Sequence, residues 1–127
     1  MNTGEDARTA LTLESVRTRA VSVPLRRPIV AKVGQFTHWP LILIDLHTRE
    51  GVIGRSYLEP YVQKAIPAIT SVITVLSEHL QGQRLAPLDA YDDAMKMLHL
   101  IGRDGVSLIA TSGLDMAIWD ALARASG

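Results

Sequence analysis

The amino-acid sequence predicts an α+β domain, a three-stranded antiparallel meander followed by a helical bundle. Three observations predict it. Residues 39–58 hold two β-rich apolar runs, W-P-L-I-L-I-D-L and V-I-G-R-S-Y-L, around the short polar segment H-T-R-E-G, which is a hairpin signal. In residues 66–80 the period changes: Ile66, Ile69, Ile73, Leu76 and Leu80 recur every three or four positions, a single helical stripe. Residues 106–123 then read as an apolar helix with small residues along one face.

The elements follow in order. Residues 1–12 read as a polar, disordered leader, and the domain proper as 13–127. The first strand spans 13–23; Val16, Thr18, Ala20 and Ser22 share one face, and Arg17, Arg19, Val21 and Val23 the other. Pro24, which cannot donate to a ladder, ends it. Residues 25–38 mix Arg26, Arg27, Pro28, Lys32 and Gly34 with Ile29, Val30, Val33 and Phe36. They read as a long loop, either folded back on its own core or serving as a flap whose apolar residues face a ligand. The unbroken apolar run 41–44 marks a strand that is central or covered on both faces. Gly51 supplies the positive φ of the tight connection that follows. Pro67 places the start of the first helix near itself or kinks its first turn. Gly82 stops that helix, Asp89 is a candidate N-cap for a short helix reaching about His99, and Gly102 and Gly105 separate it from the last one.

Composition excludes several function classes. Thirteen basic and thirteen acidic residues cancel, so no bulk charge points to nucleic acid or an anionic membrane. The absence of cysteine removes disulfides, thiolate metal sites and cysteine nucleophiles. No apolar run approaches bilayer-spanning length, and the N-terminus does not resemble a secretory leader. The expectation is a soluble cytoplasmic domain with 47% hydrophobic residues, enough for one core.

Catalytic constellations are missing. His38, His47, His79 and His99 are scattered, with no metal-ligand spacing, and no nucleophile elbow or phosphate-binding glycine loop occurs. Asp115 and Asp120 lie inside an apolar helix, but a five-residue separation puts them on different faces. Carboxylates so placed are expected to bond a neighbouring segment or an arginine, since an unpaired buried carboxylate is costly. Trp119 reads as core, and Asp92 and Asp93 as a solvated face.

Five segments together carry a family resemblance: R-T-R-A-V-S-V-P-L (17–25), P-L-I-L-I-D-L (40–46), G-V-I-G-R-S-Y-L (51–58), L-A-P-L (85–88) and G-L-D-M-A-I-W-D-A-L (113–122). In this order and spacing they resemble the N-terminal capping domain of the mandelate racemase/muconate lactonizing enzyme family of the enolase superfamily. The likeness is greatest to the mandelate racemase branch and runs from Val16 to the C-terminus. The resemblance implies a three-stranded sheet and helical bundle packed on the open end of a modified TIM barrel. It implies that the barrel carries the lysine and histidine acid/base residues and three carboxylates for Mg²⁺, and that none of these lies in this sequence. No cofactor is therefore expected within this chain, although Mg²⁺ is implied for the complete enzyme.

The resemblance also implies the role of a lid closed over a small-molecule carboxylate. The first lid segment is 25–38, with Ile29, Val33 and Phe36 as apolar pocket residues. The second is the turn after the third strand, with Glu59 and Tyr61. Glu59 stands where the family's racemases carry an aromatic residue, and Lys32 adds a charge. Such a pair favours a more polar substrate than a phenyl ring, which suits acid-sugar dehydration. Implied partners are the protein's own C-terminal barrel, the carboxylate substrate and further copies in a homo-oligomer, with neither nucleic acid nor membrane. The expected function is the substrate-specificity domain of a racemase or dehydratase abstracting the proton α to the carboxylate of a 2-hydroxy acid, inactive by itself. The alternative is a free-standing binding or interaction module; a plain oligomerisation domain is a third reading.

Overall fold

The computed structural model describes residues 10–127. Three strands, β1 (Leu13–Ala31), β2 (Gly34–Thr48) and β3 (Ile53–Leu58), precede a 3₁₀ turn (Gln63–Ala65) and three helices, α1 (Ile66–Leu80), α2 (Pro87–Met97) and α3 (Val106–Ser126). The strands form one antiparallel sheet in the order β1-β2-β3, so the meander followed by helices is the observed architecture.

β2 is the central strand, as its unbroken apolar run requires, but only one of its faces is sealed. Ile42, Ile44 and Leu46 are at most 1% exposed beneath the helices, whereas Leu43 on the opposite face is 39% exposed. The helical stripe of α1 closes the core from above with Ile69, Ile73, Leu76 and Leu80, while Ile66 stays half-buried at its start. Each fully buried Ile or Leu contributes about 1.5–3 kcal/mol relative to exposure. Pro67 lies in the first turn of α1, where its missing N–H costs nothing.

α3 packs directly on β3 because two glycines allow it. A Cβ at Gly113 would lie 2.6 Å from the tips of both Ile44 and Leu58, and one at Gly54 would lie 2.1 Å from the Ala117 carbonyl oxygen. By length and composition α3 is also long and apolar enough to cross a membrane, contrary to the expectation that no segment would be. Here Ala110, Leu114, Ala117, Ile118 and Ala121 are buried in the core of the domain.

Three other expectations are corrected. Residues 25–38 are not a loop. β1 runs on to Ala31 and pairs with β2 through Ile29↔Phe36 and Ala31↔Gly34, making one long hairpin. Pro24 stays in register opposite His38 without ending the strand, and a register shift between Pro24 and Ile29 takes up Leu25, Arg26, Arg27 and Pro28 as a bulge. The leader expected over 1–12 falls on residues 1–9, outside the described residues, and on 10–12, which are packed. Leu11 is 2% exposed, Thr12 bridges to Arg84, and the Thr12 amide donates to Glu50 Oε2 at 2.8 Å. Finally, Asp89 is not an N-cap. Ala86 holds that position and Pro87 starts α2, leaving Asp89 in the first turn, where its charge favours the helix N-terminus.

Candidate functional site

The chain leaving β3 passes from buried Leu58 through Glu59 and buried Pro60 to Tyr61, which is 65% exposed. The Val62 amide donates to the Pro60 carbonyl at 2.6 Å, and the Ala65 amide to the Val62 carbonyl at 2.9 Å. Glu59 and Tyr61 thereby line one groove of about 310 Å³ together with Tyr57 and Leu58 of β3 and Ile109, Ser112 and Met116 of α3. The Ser112 hydroxyl donates back to the Ile109 carbonyl at 2.8 Å.

The two candidate segments thus behave differently. Glu59 and Tyr61 come together, whereas Ile29, Val33 and Phe36 form a separate patch on the long hairpin and do not line that groove. Ile29 pairs across the ladder with Phe36 and is 43% exposed, while Val33 at the hairpin turn is 84% exposed. Phe36 is half-buried and meets Trp39 edge-on, with ring centroids 5.8 Å apart. Lys32 is exposed in the same turn.

Tyr57, Ile109, Ser112 and Met116 were not singled out from the sequence. A signal for the last three exists, since 109, 112 and 116 share one helical face. Nothing local, however, says that this face adjoins the turn after β3. A larger groove of about 620 Å³ lies beside Arg84, Asp89 and Leu122, and none of the five candidate residues lines it.

The charged groups further along β3 and α3 are structural. Asp120 Oδ2 accepts from the Arg55 backbone N–H at 2.7 Å and from Arg124 Nε at 2.6 Å, joining β3 to α3. The Arg124 guanidinium, then the Arg55 amide, hold this carboxyl below its usual range. Arg55 also pairs with Asp45 of β2 at 3.3 Å. Burial pushes the Asp115 carboxyl up, partly offset by a hydrogen bond from Trp119. The expectation that these two aspartates bond a neighbouring segment or an arginine therefore holds for Asp120. Trp119, expected in the core, is 52% exposed. Among the described residues no three His, Asp or Glu side chains gather as metal ligands, and Asp120 is already committed to two donors. The described residues do not fit a magnesium site.

A three-stranded meander backed on one side by α1 and α3, with α2 packed on α3, an extended hairpin and a turn–helix groove, is the architecture of an enolase-superfamily N-terminal domain. The sequence matches the model of the mandelate racemase / muconate lactonizing enzyme N-terminal domain over residues 13–127, and the chain belongs to that family. Among solved structures it is similar to an enolase from the alpha proteobacterium bal199 with bound magnesium, at 50% identity and a TM-score of 0.87 over 91% of this chain and 32% of that one. An enolase from Bradyrhizobium complexed with magnesium and mandelic acid is 36% identical, with a TM-score of 0.87 over 93% of this chain and 33% of that one. L-talarate dehydratase from Polaromonas, complexed with magnesium and L-glucarate, is 25% identical, with a TM-score of 0.72 over 92% of this chain and 33% of that one. The chain spans about a third of the length of each of these structures.

Proposed function

We propose that this chain is the substrate-covering domain of a magnesium-dependent enzyme that abstracts the proton α to the carboxylate of a 2-hydroxy acid. The observation that carries the reading is the alignment of nearly the whole chain with a third of a structure that holds magnesium and mandelic acid. In this reading the metal and the acid/base residues belong to a barrel domain beyond these residues. The chain contributes the hairpin patch of Ile29, Val33 and Phe36 and the groove wall of Glu59 and Tyr61, which exclude water and select the substrate. Lys32 and Glu59 add charge at the two patches and favour a polar substrate, so dehydration of a hydroxylated diacid competes with racemisation as the reaction.

The test is made on the natural gene product. A barrel of about 250 residues would bring its mass to roughly 40 kDa, against 13.9 kDa for this chain. With Mg²⁺ in D₂O, that product should exchange the α-proton of a 2-hydroxy carboxylate, read by proton NMR, while the 127-residue chain alone should not. Exchange by the isolated chain, or a natural product of 13.9 kDa, would overturn the reading.

A further inference from the structure

We propose that the outer face of the sheet receives helix α2 of a second copy of this chain, head to tail, through opposite charges. The pairing does not depend on the reaction catalysed. Directly opposed residues of neighbouring strands share a face of the sheet. The register Arg17↔Asp45↔Arg55 and Arg19↔Leu43 therefore gathers three arginines and one aspartate on the face turned away from the helices. Arg55 pairs with Asp45 at 3.3 Å, whereas Arg17 and Arg19 are exposed and form no ion pair among the described residues. Val23 and Leu43 stay exposed beside them, and no described segment covers this face.

α2 packs on α3, and α3 on the sheet, so the free side of α2 looks away from that face. With Ala94 and Leu98 turned inward, the free side carries exposed Leu88 together with Asp89, Asp92 and Asp93. Lys96 is the one cation of the helix and pairs with Asp92 at 3.6 Å; Asp89 and Asp93 form no ion pair among the described residues. Three aspartates about one lysine are the inverse of three arginines about one aspartate. Over the whole chain the charges cancel, so the imbalance is one of place. Like charges held on one surface repel, and a surface of opposite sign relieves both. Arg17 and Arg55 stand two strand spacings apart, about 10 Å, and Asp89 and Asp93 about 6 Å apart along the helix axis, a difference that arginine side chains span. Leu88 then meets Val23 and Leu43. Because the two surfaces lie on opposite sides of the domain, each copy uses both, and the contacts close into a ring or continue as a chain.

Charge reversal in the natural gene product tests the pairing by sedimentation velocity. Arg17→Glu with Arg19→Glu should raise the concentration of half-dissociation roughly tenfold or more, and so should Asp92→Lys with Asp93→Lys. Sodium chloride at about 1 M, which shortens the Debye length to about 3 Å, should weaken the wild-type assembly too. The decisive sample is an equimolar mixture of the two variants. Each acidic sheet face there finds a basic α2, and each arginine face an acidic one, so the mixture should form assemblies that neither variant forms alone. A monomeric wild type, or variants that assemble as tightly as wild type, would overturn the pairing. So would a mixture that stays dissociated, which would assign the loss to misfolding or to a two-fold contact.

Discussion

Replacing Gly54 by alanine tests the contact on which the domain closes. The new methyl would sit 2.1 Å from the Ala117 carbonyl oxygen and 2.8 Å from Ala121 Cβ, where ordinary contact begins at 3.4 Å. The obstacle is backbone, so no rotamer change relieves it, and α3 and β3 must separate by about 1 Å or more. Two clamps flank the site: the Arg55 amide donating to Asp120 at 2.7 Å and the Ser56 hydroxyl donating to the Gly113 carbonyl at 2.7 Å. Overpacking costs about 1–3 kcal/mol, and weakening a charge-assisted and a neutral hydrogen bond adds about 1–2 kcal/mol. The expected loss is about 2–5 kcal/mol, a large share of the ~5–15 kcal/mol of a typical domain. Urea unfolding followed by circular dichroism should show the midpoint falling by about 2 M at constant slope. Gly51→Ala is the control. Its Cβ would meet nothing within 4 Å, and only its φ of +86° is at stake, at a cost of about 1–2 kcal/mol. A midpoint shift for Gly54→Ala no greater than for Gly51→Ala would refute the close-approach argument.

Ile73, 1% exposed on the α1 stripe, should cost about 2–5 kcal/mol when truncated to alanine, read from the same urea curves. Phe36→Ala in the natural gene product should alter KM and substrate preference more than thermal stability, since Phe36 is half-buried on an exposed hairpin; equal losses would assign it to the core instead. The two aspartates of α3 should respond to pH in opposite ways. Asp120 has a folded pKa below its ordinary 3.8, so its contribution is present above that value and lost as pH falls through the lower folded one. Asp120→Asn should therefore be less stable than wild type at neutral pH and converge with it in acid. Asp115 has a folded pKa above 3.8, so stability is lost as pH rises from 3.8 through the folded value. Asp115→Asn should be more stable at neutral pH and equal to wild type below 3.8. Melting temperatures across pH 2–8 decide both.

The fold was legible wherever a pattern is local. The α1 stripe, the Gly51 hairpin and the central place of β2 follow from spacing and composition within one element. The hairpin beyond Pro24 was hidden because proline and paired arginines are loop chemistry in most contexts. Only the partner strand, through Ile29↔Phe36, reveals that they occupy a bulge within a ladder. Asp89 misled for a similar reason: a good capping side chain two positions late is outweighed by Pro87, whose fixed φ suits the first helical position. The candidate site was half legible. Glu59 and Tyr61 are neighbours in sequence and share the groove. Its other wall comes from α3, and the Asp120–Arg55 bond that brings α3 alongside spans 65 positions, a distance over which no periodicity speaks.

β1 is an edge strand of 19 residues, longer than most; beyond Leu13, whose backbone bonds Gly82 and Gln83, one side of it has no neighbour in the sheet among the described residues. An uninterrupted edge of that length would be a template for unwanted strand addition and fibre growth. The bulge between Pro24 and Ile29 breaks it into two shorter stretches. Pro24 at its border and Pro28 within it withhold amide donors, and Arg26 and Arg27 would bring like charges together if copies stacked side by side. The irregularity that disguises the hairpin in the sequence thus also helps keep an exposed sheet from polymerising.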